Sequence, residues 1–477
     1  MAQFGGGGGL GGGGGGFGGG GGGFGGGGGG FGGGGGGGTH GASGVVVDAG
    51  GVVQRRVVAD PGGRLTQQRI AQAMAALEGD LAEPSKLRKV SITRLENELK
   101  EKLAAGGGPD EAMLGLAGLT QIDYVFCYPE SGDIVIAGPA EPWAEDVAGR
   151  KRAIKSGRPV LELQDLVTAL RAFPPQPVSG AVESNPPLIY CSIDPTSEGL
   201  SRMQQFLSRR HFSPSRKPTQ QETRFFVDQL AEQLGLQEVT VGGIPATTHF
   251  AQVLVEADYR MKLIGIGLEQ PPVRLKSYVD RANPAMVSRN ALQRWYFVPD
   301  YECLRVSDDG LAMEVVGDGV KLIGEDEFVA RDGTRRSVGR SNRASTAYTK
   351  AFTKMYPKLA ERSPVYAQLR NCIDLAVAAA FIQDEDFYGK AEWAMPVFGS
   401  EAAYKVETYN APQQVATAVN SMWKGNTLMT PVGGGVEIRP TQALRPANRL
   451  EDSKGAIDAK RLQVAAPKLP AGQWWWD

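Results

Sequence analysis

The chain has 477 residues, 67 of them glycine, with 51 Lys+Arg against 52 Asp+Glu and a net charge of -1. That balance removes the global electrostatic case for a nucleic-acid binder, which carries a clear basic excess. The longest apolar run near a helix, Ile373–Ile382, contains Asp374 and falls short of the about 20 residues a bilayer span needs, so a soluble protein with no transmembrane segment is expected.

Residues 4–38 are glycine except for Phe4, Leu10, Phe17, Phe24 and Phe31. Glycine buries no side chain and loses most backbone freedom on ordering, so this stretch reads as a disordered arm carrying spaced apolar stickers. Its near seven-residue spacing is no coiled-coil heptad, because glycine costs about 1 kcal/mol per residue against alanine in a helix. The start Met1-Ala2-Gln3 lacks a signal peptide. An Ala-Gln junction nevertheless suits a mature end left by signal cleavage, which would place the protein in the periplasm or envelope; otherwise it is cytoplasmic.

Small residues continue to 61, with Val-rich pieces at Val45–Val47 and Val52–Val58. A helix is expected from Leu65 to Leu81. A second begins near Thr93, whose spacing to Glu96 fits a capping box, and carries a stripe of Leu95, Leu99 and Leu103. Ile122–Tyr128 and Asp133–Ala137 flank Pro129-Glu130-Ser131-Gly132, the chemistry of a hairpin reversal. Pro159–Leu161 reads as a strand leading into a helix through Ala172, and the Pro-rich stretch to Pro187 as a boundary.

One local design then recurs, a strand followed by proline and a helix: Leu188–Ile193 with Pro195, Glu238–Ile244 with Pro245, and Tyr404–Tyr409 with Pro412 and a helix through Trp423. Glu302–Val306, Leu311–Val316 and Val320–Ile323, joined by Asp-Gly connectors, predict a β-meander. Two long helices follow, Ser345–Glu361 and Pro364–Gln383, the second apolar nearly all round and hence central to the core. Residues 440–473 read as a polar tail ending in Trp474-Trp475-Trp476-Asp477. The fold class is mixed α+β or α/β. The expected divisions are an arm and linker at 1–61, an α+β region at 62–180, an α/β region at 181–290, a meander plus helical region at 291–440, and a tail at 441–477.

No GK[ST] phosphate loop, HExxH, Cys/His cluster or G-x-S-x-G occurs, so no cofactor or metal is expected and no catalytic residue is assigned. The acidic runs Glu325-Asp326-Glu327 and Asp384-Glu385-Asp386 lack EF-hand spacing and read as solvated turns. Cys127, Cys191, Cys303 and Cys372 are dispersed and read as buried free thiols, with two disulfides the alternative. A candidate polar cluster sits on one predicted helix: His249, Glu256, Asp258 and Arg260, of which Glu256 and Arg260, at i, i+4, make a surface salt bridge. Three basic groups, around Arg150-Lys151-Arg152, Arg209-Arg210-His211 and Arg331–Arg343, lie in loops and read as solvated surface. The terminal indoles Trp474, Trp475 and Trp476 suit either an anchor for the chain's own end or contact with a partner.

The segments LRKVSITRLE (87–96), YVFCYPESGDIVIAGPAEPW (124–143), CSIDPTSEGLSRMQQFL (191–207), VLVEADYRMKLIGIGLE (253–269), RWYFVPDYECLRVSDDGLAMEVVGDGVKL (294–322) and SPVYAQLRNCIDLAVAAAFI (363–382) resemble a domain-of-unknown-function family associated with planctomycete bacteria, over about residues 60–440. The resemblance implies a bacterial and often exported protein, and brings no catalytic residues. The expected function is a non-catalytic, envelope-associated binding or scaffold role, with a protein or envelope polymer as partner and aromatic residues at both termini as contacts. A hydrolase acting on an envelope polymer through paired carboxylates is one alternative. Binding of an anionic polymer or nucleic acid through the basic loops is the other.

Overall fold

The computed structural model describes residues 40–77, 79–176, 187–209, 219–282, 291–300, 302–329, 335–337, 339, 342–420, 423–424, 427–428, 432–452, 454–467 and 469–477. Phe4, Leu10, Phe17, Phe24 and Phe31 lie outside the described residues. The fold is mixed α+β, built on two large sheets.

The nine-stranded sheet runs, edge to edge, His40–Val47, Val52–Asp60, Gln414–Ala416, Leu236–Gly242, Ile189–Pro195, Val432–Ile438, Ala291–Pro299, Val320–Val329 and Arg335–Ser337. The two Val-rich pieces pair as a hairpin. Its turn is held by Asp48, whose Oδ1 accepts the N–H groups of Gly50 and Val52, both at 2.9 Å. At the centre of the sheet, Gly434 pairs with Trp295 on one side and Ile193 on the other. Its φ of +131° and the overlap a Cβ would make with the Trp295 carbonyl leave glycine as the residue that fits.

Alternate residues of these strands, such as Ile189, Cys191, Ile193, Trp295, Phe297, Val436 and Ile438, face the core. Against them lie the helices His249–Gly265, Arg343–Arg362 and Pro364–Asp384. Trp295 is fully buried, donates from Nε1 to Ser345 Oγ at 2.8 Å and lies against Tyr348 and Tyr278. The helix Pro364–Asp384 has an 18-residue window apolar enough to cross a membrane, and 89% of that window is buried within the protein, as a core helix requires.

The seven-stranded sheet runs Arg449–Leu450, Leu304–Val306, Ala312–Val315, Tyr124–Tyr128, Asp133–Ala140, Ser85–Ser91 and Trp475–Trp476. It is apolar on both faces. Val90, Val125, Ile134 and Ile136 join the main core, while Phe126, Tyr128, Val135, Ala137 and Ala312 form a second cluster with Ile457, Val464 and Trp476. The segment expected as a polar tail therefore folds back. The helix Ala456–Gln463 and the strand Trp475–Trp476 shield an apolar sheet face that water would otherwise wet.

Other local expectations change. The helix expected over Leu65–Leu81 ends at Ala76, and Pro159–Leu161 makes only an isolated bridge from Pro159 to Arg152. The meander is divided: Leu304–Val306 and Ala312–Val315 pair in the seven-stranded sheet, and Val320–Val329 joins the nine-stranded one. The expected capping box at Thr93 gives way to Ser91, whose hydroxyl accepts the Arg94 N–H. Glu96 is instead buried, accepting from Trp393 Nε1 at 2.5 Å and from the backbone N–H groups of Val397 and Phe398 at 2.7 and 2.6 Å. Finally, Tyr404–Tyr409 is not a strand, and no helix follows it among the described residues to 420. Its backbone is engaged by neighbours: Tyr409 N–H donates to Thr247 O, Gln413 N–H to Gly51 O, and Val239 N–H to Gln413 O.

Candidate functional site

The polar cluster sits on the central helix His249–Gly265, capped by Thr248, whose hydroxyl accepts the Ala251 N–H. Glu256 and Arg260 do not form a surface pair; they are 4% and 6% exposed, with the side chains of Arg150 and Arg55 drawn in beside them and their partner Glu269. Buried charges require partners, and these form a continuous chain. Arg150 Nη2 donates to both Glu256 oxygens at 2.7 and 2.5 Å, and Arg150 also bonds Gln368. Arg260 donates from Nη1 to Glu256 at 3.3 Å, and from Nε and Nη2 to Glu269 at 3.0 and 2.7 Å. Arg55 closes the chain 3.5 Å from the second Glu269 oxygen. Burial opposes ionisation of Glu256, but Arg150 and Arg260 outweigh it and hold the carboxyl below its ordinary range.

Asp258 points instead toward the sheet and pairs with Lys262, which sequence reading did not single out. Lys262 Nζ donates to Asp258 Oδ2 at 2.8 Å, to Ile193 O at 2.8 Å and to Gly434 O at 3.0 Å. It thereby ties the helix to two strands at the Gly434–Ile193 register. Burial pushes Asp258 up to about 6 despite the lysine.

His249 meets neither Glu256 nor Asp258; two other carboxylates face it. Its Nδ1 lies 2.9 Å from Asp165 Oδ2 and its Nε2 3.8 Å from Glu162 Oε1, with the Tyr409 ring alongside. Asp165 belongs to the helix Leu163–Ala172 and Glu162 is its N-cap residue. Burial works against a charged ring, but the two carboxylates outweigh it and lift His249 from 6.5 to about 9. At neutral pH the imidazole is thus a cation between two acids, an arrangement that fastens two helices together and leaves no basic nitrogen lone pair.

Of the first basic group, Arg150 serves Glu256 and Arg152 is 5% exposed, donating to Gly157 O at 2.8 Å; neither is solvated surface. Of the second group, Arg209 is described and exposed, while Arg210, His211, Arg216 and Lys217 lie outside the described residues. In the third, Arg336 and Arg343 have described, exposed side chains. Glu325-Asp326-Glu327 lies on a strand rather than a turn, with Glu327 2.7 Å from Arg294. All four cysteines are buried free thiols, and desolvation raises each of them, Cys127 and Cys303 to about 12, which suppresses the nucleophilic thiolate.

The terminal indoles lie against the protein's own sheet. Trp474 and Trp476 are buried, and Trp475 is half-buried beneath the Arg88 guanidinium, 4.7 Å from its ring centroid. Arg88 is itself fully buried and grips the Asp477 carboxylate with Nε and Nη2 at 2.9 and 2.8 Å.

A family model described as a protein of unknown function (DUF1598) matches residues 191–278. That span carries two adjacent strands of the nine-stranded sheet, the central helix and Glu269. Arg55, Arg150, Glu162, Asp165 and Gln368, which complete its charge pairing, come from outside the matched residues. Neither a curated protein nor a solved structure matches the chain.

Proposed function

We propose that the chain is a non-catalytic binding or scaffold protein of the cell envelope in a planctomycete-type bacterium, with the glycine arm as a tether whose spaced Phe and Leu residues contact a protein or envelope polymer. The observation that carries this reading is where the arm joins the body. It feeds into His40–Val47, the outermost strand of the nine-stranded sheet, so the arm is appended at an edge and its removal takes nothing from the centre. The body's acids and bases meanwhile act as internal fasteners. A hydrolase reading would call on a carboxylate pair; one such pair, Glu162 and Asp165, is engaged with His249. The bacterial and exported character rests on the resemblance of the six segments quoted above.

The test compares the full chain with one lacking residues 1–38. The expected result is an unchanged unfolding midpoint together with loss of envelope association or a changed oligomeric state. Identical fractionation and oligomeric state in the two proteins would overturn the reading.

A further inference from the structure

We infer that Trp474–Asp477 is an exchangeable latch: the outer edge of the strand Ser85–Ser91, backed by Arg88, is a strand-accepting site that takes this segment from a second copy of the chain as well as from its own. The inference stands apart from the role of the arm.

The receptor is organised by residues outside the latch. Arg88 donates from Nη1 to Ala117 O at 2.8 Å and from Nη2 to Asp80 O at 2.7 Å and Glu83 O at 3.3 Å. Those carbonyls fix the guanidinium plane, and its Nε–Nη2 edge then presents a fork to which a carboxylate binds in bidentate fashion. The backbone edge of Ser85–Ser91 that faces the latch supplies the second element. Ser91 N–H donates to Trp474 O at 2.8 Å, and Trp475 and Trp476 pair antiparallel with Val90 and Lys89. Side-chain sites supply the third. Trp476 enters the cluster of Phe126, Tyr128, Val135 and Ala137 and donates from Nε1 to Val464 O at 3.3 Å. Trp475 stacks under Arg88.

Recognition is thus complete within four consecutive residues: strand pairing, aromatic slots and the Asp477 side-chain carboxylate, the combination by which a sheet edge binds an extended peptide. The connection to the body is equally suggestive. Ala465, Pro467, Pro470, Ala471 and Gly472 are exposed, and Gly472 turns the chain at φ +79°. Ala466 and Leu469 pack against the aromatic cluster between these exposed positions. An edge strand joined to the body through such a Pro/Gly-containing connection is the geometry of reciprocal exchange between identical copies, each donating its segment to the other. In the single chain the tethered segment outcompetes a free one through its high effective concentration.

The probe is a fluorescently labelled synthetic peptide of residues 471–477, Ala-Gly-Gln-Trp-Trp-Trp-Asp. Its anisotropy is titrated with the full chain and with full-length Trp475→Ala/Asp477→Ala, in which the resident latch is weakened. The expected result is binding at least tenfold tighter to the variant, and loss of at least tenfold when the peptide carries alanine for Asp477. A variant that unfolds cooperatively yet does not bind the peptide overturns the inference. Should the variant fail to fold, hydrogen exchange of the wild-type chain decides. The Ser91 amide is expected to exchange at least a hundredfold faster than amides of the strand Asp133–Ala140, and equal rates overturn the inference.

Discussion

Behind the nine-stranded sheet, Arg55, Glu269, Arg260, Glu256 and Arg150 run as a buried ion chain, whereas the seven-stranded sheet is flanked by Ile134 and Ile136 on one face and Phe126 and Val135 on the other. Both regions are dry, but they are held by different physics. Apolar contact is non-directional and grows with area. A buried ion pair recovers the desolvation penalty of its charges only through near-ideal partner geometry, and losing one partner strands the other. The first region therefore specifies which elements meet, and the second supplies burial wherever an apolar face is presented.

The sharpest way to break this comparison is substitution with and without compensation. Glu256→Ala strands Arg150 and is expected to cost about 3–5 kcal/mol, and Phe126→Ala about the same through lost transfer energy and a cavity. The two differ in rescue. Adding Arg150→Met to Glu256→Leu removes both charges and is expected to recover most of the first loss, while no charge change recovers the second. Denaturant unfolding of the four proteins measures this; a double variant as unstable as Glu256→Ala would show that the ion chain does not act by pairing.

A smaller effect concerns pH. Because the folded His249 is raised from 6.5 to about 9, its stabilisation is complete below about 6.5 and is lost as pH rises through about 9. The loss is expected to be on the order of 3 kcal/mol. Asp165→Asn should flatten that part of the stability–pH curve, and an unchanged slope in this variant would mean that another group titrates. The smallest expected effect lies at the other sheet. Ser91→Ala removes the cap of the helix Ile92–Ala104 and a 2.6 Å bond to Asp133, at a cost of about 1–2 kcal/mol seen as a lowered unfolding midpoint.

What the sequence revealed follows the same division. The strand-then-helix order at 188–207 and 238–261 was legible because turn residues and the following apolar period act over a few residues, although Pro195 ends its strand and Thr196 caps the first helix. The same signs near Pro412 misled, since Gly51, Thr247 and Val239, remote in sequence, take up the backbone there. The i, i+4 spacing of Glu256 and Arg260 was visible, but their burial was not, because the covering group, Arg150, lies 106 residues away. Asp165 and Glu162 gave no local sign of belonging to His249. Glu96 showed cap spacing, yet its partners Trp393, Val397 and Phe398 come from about 300 residues further on. Legibility failed wherever a polar side chain answers a long-range partner rather than its own helix.

The cover over the seven-stranded sheet has a consequence for biosynthesis. Tyr124, Phe126, Tyr128 and Val135 are made early, while Ile457, Val464 and Trp476, which shield them, are encoded about 300 residues later. At about 5–20 residues per second, a ribosome needs roughly 15–60 s to cross that interval. For that time the nascent chain carries an aromatic sheet face with no native cover of its own. Exposed apolar surface of that kind is what makes a nascent chain prone to association and a client for holding chaperones.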